Sequence, residues 1–138
     1  MDAKAYLSQV KKLDLLIKNR LIERQQWRDI ALCITSNLGG EHVQSSGSKT
    51  KTADAVDRYV SLEADIDKSV DQFIDIKKEV IKTIEELESV WEYQVLHLKY
   101  IQYKTFEEIA EEMSKSYTAV TTLHGRALVS VQKILDNR

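Results

Sequence analysis

The chain has 138 residues, of which 43% are hydrophobic and 30% are charged, with no proline and only four glycines. This length allows one or two small hydrophobic cores and excludes a large enzyme with a deep cleft. The formal net charge of −2 excludes a uniformly basic surface, so a contact with nucleic acid would have to come from a local patch.

Several features indicate a cytoplasmic protein. Cys33 is the only cysteine, so no intramolecular disulfide can form, and its position in an apolar run predicts a buried side chain. The N-terminus lacks an uninterrupted apolar segment, and no stretch of about eighteen apolar residues occurs. We therefore expect no association with a membrane.

Apolar residues recur every three or four positions from about Ala3 to Leu38, which predicts one long amphipathic helix. The glycine pair at positions 39–40 is expected to end this helix. The following segment, through Thr52, is rich in Ser, Thr, Gly and Lys and has neither a helical nor a strand period. The sequence therefore predicts a flexible connection over about residues 39–52.

A second period begins near Ala53 and repeats about every 3.5 residues, as in a coiled coil, although Glu63 and Lys77 interrupt its apolar positions. Two long helices joined by a flexible connection can bury their apolar stripes as an antiparallel hairpin, which we expect over residues 1–88. Further apolar residues lie beside these stripes: Leu15, Leu16, Val60, Ile74, Ile76 and Ile81. A third helix or a second subunit could cover them, and we expect a homodimer or a higher homo-oligomer.

Ser89 and Glu92 have the spacing of a capping box, in which each side chain satisfies a backbone N–H at a helix start. The spacing predicts a new helix or a sharp bend here, and the alternative is one uninterrupted helix over residues 53–100. A short helix over residues 90–103 would turn Trp91 toward the core.

Thr105 opens a second capping box, and Ser116 is placed to begin another helix after a three-residue turn. Two short helices across such a turn, with a small residue at their crossing, are what a helix-turn-helix requires. Ala110 is that small residue. We therefore expect an all-α protein, in which residues 89–138 form a trihelical helix-turn-helix unit behind the long hairpin.

The start of the last helix, near Ser116, is the candidate DNA-binding site. Its hydroxyl side chains are small enough to approach base edges in a major groove, and nearby cations would contact phosphate. The predicted DNA-contacting residues are Lys104, Thr105, Lys115, Ser116, Tyr117, Thr118, Thr121, Thr122 and Arg126. With so few cations one copy would bind weakly, so a dimer, adjacent sites or tethering to RNA polymerase would be needed.

The segment TFEEIAEEMSKSYTAVTTLHGRAL, residues 105–128, resembles the helix-turn-helix of sigma-factor region 4. The whole chain is similar to a family of small, mostly uncharacterised proteins of Gram-positive bacteria and their prophages, whose relatives include late-gene transcription regulators of the ArpU and RinA type. This resemblance implies a DNA-binding transcriptional regulator. Two positions depart from the pattern: Ser114 stands where the turn usually has glycine, and Gly125 lies inside the recognition helix.

We find no pattern for catalysis, a cofactor or a metal. The glutamates at positions 107, 108, 111 and 112 are interpreted as the solvated face of a helix, and the three histidines lack a second ligand at helical spacing. The run Ser45–Ser48 has no phosphate-loop pattern. We therefore expect a binding protein rather than an enzyme.

Two other functions fit the same pattern. A phage packaging protein of the small-terminase type also joins a helix-turn-helix to oligomerising helices, and it would form a ring of many subunits. A protein-interaction adaptor would have lost DNA binding. It would dock on polymerase, or on another factor, through the acidic first helix of its helix-turn-helix.

Overall fold

The computed structural model describes residues 1–40 and 46–138, and the secondary structure in these ranges is entirely helical. The elements are α1 (Ala3–Gly40), α2 (Ser46–Glu85), α3 (Val90–Leu96), α4 (Phe106–Met113) and α5 (Tyr117–Asp136), and a π-helical turn, His97–Ile101, follows α3. The predicted all-α class is confirmed, with a long antiparallel pair, α1 and α2, followed by shorter helices. Within the described ranges, no helix is long and apolar enough to cross a membrane.

Both long helices extend into the predicted flexible connection. α1 includes Gly39 and Gly40, and α2 already begins at Ser46, so only residues 41–45 of that segment lie outside the described residues. Glycine costs only about 1 kcal/mol relative to alanine inside a helix, so two glycines need not end a helix of 38 residues.

The chain divides into two compact units, residues 15–72 and residues 1–14 together with 73–138. This division differs from the boundary expected near residue 88. The reason is that the first turns of α1 and the last turns of α2 belong to the same compact unit as the C-terminal helices.

In the unit formed by residues 15–72, α1 and α2 run antiparallel. The Arg20 guanidinium donates to the Ser69 hydroxyl, and Arg58 Nη2 donates to Glu23 Oε1 at 2.9 Å. The buried apolar residues between the helices are Ile17, Ala55, Leu62 and Ile66.

Cys33 is exposed, so its predicted burial was wrong. A helix turns by about 100° per residue, which places Cys33 about 160° around α1 from the buried Ile17. Cys33 therefore lies nearly opposite the buried side of α1.

The second unit has one core to which all five helices contribute. Its buried residues are Ala3, Tyr6, Leu7, Val10, Val80, Ile84, Val95, Leu96, Leu98, Tyr100, Ile109, Val120, Ala127 and Val131. The start of α1 also meets α5 directly, because the Ala3 N–H donates to Gln132 Oε1 at 2.7 Å. The C-terminal helices are thus packed together with residues that lie more than seventy positions earlier in the chain.

A buried polar cluster supports this core. The Thr83 side chain is fully buried, and its hydroxyl donates to the Glu79 carbonyl at 3.0 Å. The same oxygen lies 2.9 Å from the Tyr6 hydroxyl and accepts from Arg138 Nη2 at 2.8 Å. Since the Thr83 proton is used within α2, Tyr6 and Arg138 both donate, which joins α1, α2 and the C-terminus at one oxygen.

Ser89 marks a real helix boundary, so the predicted new helix is confirmed and one helix over residues 53–100 is excluded. The Ser89 hydroxyl accepts from the Glu92 N–H at 3.3 Å. The Glu92 carboxylate does not complete the predicted capping box; it accepts from the Ser130 hydroxyl at 3.1 Å. This bond holds the first turn of α3 against α5.

Candidate nucleic-acid interface

The start of α4 has the local structure that the sequence predicts. The Thr105 hydroxyl accepts from the Glu108 N–H at 3.2 Å, and the Glu108 carboxylate accepts from the Thr105 N–H at 3.3 Å. This complete capping box satisfies two backbone donors that the first helical turn leaves unpaired.

A three-residue turn, Ser114–Ser116, separates α4 from α5. Ser114 has a left-handed backbone, with φ of 54°, at the position where the resemblance leads us to expect glycine. The Lys115 N–H donates to the Ala110 carbonyl at 3.0 Å, which closes the end of α4, and Ser116 caps α5 by accepting from the Ala119 N–H at 3.1 Å. Residues 105–128 therefore form two helices and a turn.

Burial sets which side of α5 faces solvent. Ile109 of α4 and Val120 of α5 are both fully buried, and Ala110 packs partly buried against the same core. Thr118 and Thr122 lie two positions before and after Val120, so the helical turn directs them to the opposite side. Both are exposed, as the predicted DNA-binding face requires.

This exposed side of α5 borders an open groove of about 470 Å³, which we call the α5 groove. It is lined by Trp91, Lys115, Ser116, Thr118, Ala119, Thr122, Leu123 and Arg126. Five of the nine predicted contact residues thus come together, namely Lys115, Ser116, Thr118, Thr122 and Arg126.

The other four predicted residues lie outside the groove lining. Lys104 forms an ion pair with Glu112, and Thr105 caps α4. The exposed Tyr117 ring meets Phe106 edge-on, with centroids 6.1 Å apart, and the Thr121 hydroxyl donates to the Thr118 carbonyl at 3.0 Å. These contacts engage the four side chains in local structure.

Trp91 does not face the core, so its predicted orientation was wrong: the side chain is 55% exposed. Val95 and Leu98 are fully buried nearby in the chain, whereas Trp91 lies in the first turn of α3 and borders the α5 groove. Lys115 Nζ lies over the indole, 4.7 Å from its centroid, at cation–π distance. Helical spacing alone groups Trp91 with Val95, so the sequence carried no signal for this position.

Charge is unevenly distributed around the helix-turn-helix. Among the described residues, those that line the α5 groove include two cations, Lys115 and Arg126, and no carboxylate. Four exposed carboxylates lie on α4 instead: Glu107, Glu108, Glu111 and Glu112. The groove is therefore a local positive surface on a chain of net negative charge.

His124 supports α5 from its inner side. Its Nε2 lies 2.8 Å from the Tyr100 hydroxyl, and its ring contacts Phe106 edge-on with centroids 5.0 Å apart. Burial lowers the pKa of His124, and the nearby charges of Lys99 and Lys4 lower it further. Burial also raises the pKa of Tyr100 to about 12. Both rings are therefore uncharged at neutral pH.

A family model described as "Protein of unknown function (DUF1492)" matches residues 34–132, which is more than half of the chain and includes α3, α4 and most of α5. The chain belongs to the DUF1492 family. No curated protein and no solved structure gives a significant match. Within the part of the chain that the structure describes, no group of His, Cys, Asp and Glu side chains is arranged to hold a metal ion.

The turn yields a prediction from the conformation of Ser114. Ser114→Gly removes the steric cost of a left-handed backbone and should raise the free energy of unfolding by about 1 kcal/mol. Ser116→Ala, two residues later, removes a helix cap and should lower it by about 1 kcal/mol. Urea unfolding followed by circular dichroism measures both, and a lower stability for Ser114→Gly would contradict the assigned turn.

A second prediction concerns pH. Since the folded state lowers the pKa of His124, the unfolded chain binds its proton more readily, and the associated stability is present above about pH 6.5. The free energy of unfolding should therefore fall as the pH is lowered from about 7.5 to about 5.5. His124→Gln and His124→Phe should both flatten this slope in urea titrations, and an unchanged slope in both variants would rule out His124 as its source.

Proposed function

We propose that this protein is a transcriptional regulator that binds duplex DNA, with the start of α5 entering the major groove. The observation that supports this most directly is the composition of the α5 groove. Hydroxyls and cations line it, carboxylates are absent from its described lining, and it lies beside the turn of a helix-turn-helix. This combination suits a polyanion that is read by small polar side chains.

Each group at the groove has a chemical role in this proposal. The exposed Thr118 and Thr122 are the candidates for contact with base edges. Ser116 uses its oxygen to accept from the Ala119 N–H, which leaves its hydroxyl proton available for a phosphate oxygen. Lys115 and Arg126 would contact phosphates, and the positive end of the α5 dipole favours an anion at the same place.

The assignment to transcription rests on resemblance. Residues 105–128 resemble sigma-factor region 4, and the chain as a whole resembles phage and prophage proteins related to late-gene regulators. We therefore propose a phage-derived role, with RNA polymerase as a further candidate partner. A packaging protein and a protein-interaction adaptor are the alternatives, and the experiment below separates them.

We further propose that the protein is a homodimer through the unit formed by residues 15–72. Large apolar side chains of this unit are 39–58% exposed: Leu15, Leu16, Leu21, Ile22, Ile30, Leu32, Val56 and Val60. Residues 15–33 carry four cationic and two anionic side chains, whereas residues 50–72 carry three cationic and six anionic ones. A two-fold axis would bring α1 of one copy against α2 of its partner with complementary charge. Two copies would also double the number of cations that contact DNA.

The DNA-binding proposal predicts that substitutions at the start of α5 weaken DNA binding more than a substitution near its end. After selection from a random duplex pool at low salt, Lys115→Glu should weaken binding to the selected duplex about tenfold and reduce the salt slope by about one. Lys133→Glu makes the same charge change eighteen positions later, in the last turn of α5, and should have little effect. Thr118→Glu should weaken binding at least as strongly as Lys115→Glu. It should still fold, as measured by circular dichroism, because an acidic residue is stabilising in the first turn of a helix.

The outcomes distinguish the candidate functions. Full binding by both Lys115→Glu and Thr118→Glu would show that the groove assignment is wrong. Recovery of no duplex, together with polymerase binding through α4, would support the adaptor, and a ring of many subunits would support a packaging protein.

The dimer proposal is tested by light scattering. The wild-type protein should have twice the chain mass of 15.9 kDa at micromolar concentration. Ile22→Glu combined with Val60→Glu should give a monomer, because two carboxylates would be buried without partners. Ser61→Glu adds a charge at an exposed neighbouring position and should leave the dimer intact. A monomeric wild-type protein would refute the proposal.

A further inference from the structure

We infer that Trp91 of α3 contacts the DNA beside the turn and the start of α5. Its indole packs against a deoxyribose of the duplex backbone and holds Lys115 in position for the adjacent phosphate. This inference rests on the proposed function, because it names the part of the DNA that the α3 side of the α5 groove receives. It extends the proposed interface to α3, which is not one of the two helices, α4 and α5, that flank the turn.

Trp91 is held firmly in place. Its neighbour Glu92 accepts from Ser130 on α5 at 3.1 Å, and the Ser89 hydroxyl caps the same turn. Four positions further along, Val95 is fully buried in the core. The backbone of Trp91 is thus fixed relative to α5, while its side chain is more than half exposed. An exposed aromatic side chain on a rigid support is a common feature of binding surfaces.

Lys115 connects this aromatic side chain to the turn. Its Nζ lies 4.7 Å from the indole centroid, and its backbone follows the left-handed Ser114. A lysine side chain normally loses considerable rotamer freedom when it contacts a phosphate. By restricting Lys115 before DNA arrives, Trp91 would reduce that entropic cost.

The lining of the groove indicates which part of a nucleic acid fits. Two cations and the hydroxyls of Ser116, Thr118 and Thr122 suit phosphate and base edges, whereas the indole offers an apolar surface for a sugar. An unpaired base stacked on the indole is the competing occupant. Lys115 lies over one face of the ring and obstructs stacking there, which favours the backbone of a duplex.

Fluorescence can test the contact, because Trp27 and Trp91 are the only tryptophans in the chain. In a Trp27→Phe background all tryptophan emission comes from Trp91. Titration with the selected duplex should change this emission, with the same midpoint and salt dependence as binding measured by mobility shift. When Thr118→Glu is added to the background, the midpoint of the emission change should move to at least tenfold higher duplex concentration, because that variant binds the duplex more weakly.

A double-mutant cycle tests the coupling to Lys115. Trp91→Ala and Lys115→Ala should each weaken duplex binding about fivefold to tenfold. Because the two side chains act together, the affinity of the double variant should lie within about twofold of that of the weaker single variant. Trp91→Phe should retain most of the affinity, because it keeps an aromatic face. Val90→Ala is the matched control, since Val90 is exposed at the adjacent position but does not line the α5 groove.

Each result bears on a different claim. If Thr118→Glu weakens binding at least tenfold while Trp91→Ala binds like wild type, and the emission of Trp91 in the Trp27→Phe background does not change on binding, the inference fails and the proposed function stands. Tighter binding of single strands than of the duplex, with emission quenched by stacking, would also overturn it. A wild-type protein that binds no duplex would overturn both.

Discussion

The burial of Ile109 and Val120 in one core is the contact on which the rest of the candidate site depends. These two side chains fix the rotation of α4 and α5 about their axes. Once Val120 faces inward, helical geometry leaves Thr118 and Thr122 no orientation other than toward solvent. The same burial brings Lys115 and Ser116, at the end of the turn, to the edge of that exposed face. A single apolar packing arrangement thereby determines the chemistry that the surface presents.

That core is shared with distant parts of the chain. The first turns of α1 contribute Leu7 and Val10, and the end of α2 contributes Val80 and Ile84. The Thr83 hydroxyl further joins these two helices to the C-terminus: it accepts a buried hydrogen bond from Tyr6 and a partly buried one from Arg138. The helix-turn-helix is therefore one part of a larger compact unit, and mutations near the N-terminus should influence it through stability.

The distribution of charge gives the proposed function its physical basis. The net charge of −2 disfavours nucleic acid at long range, yet the described lining of the α5 groove is positive. Two carboxylates of α4, Glu107 and Glu108, lie in the first turn of their own helix, where they stabilise it, and Glu112 neutralises Lys104. A short-range, local attraction of this kind suits a protein whose binding also depends on self-association, as we propose.

The sequence by itself determined the features that local chemistry controls. Hydroxyl caps at Ser89, Thr105 and Ser116 and the spacing of apolar residues predicted every helix start from α3 onward, and they identified five residues that share the groove. Only the tertiary structure decided the exposure of Trp91 and Cys33, the pairing of Lys104 with Glu112, and the place of residues 1–14 in the C-terminal core. Helical periodicity shows which residues share a side of one helix, but which side is covered depends on partners that are far away in the chain.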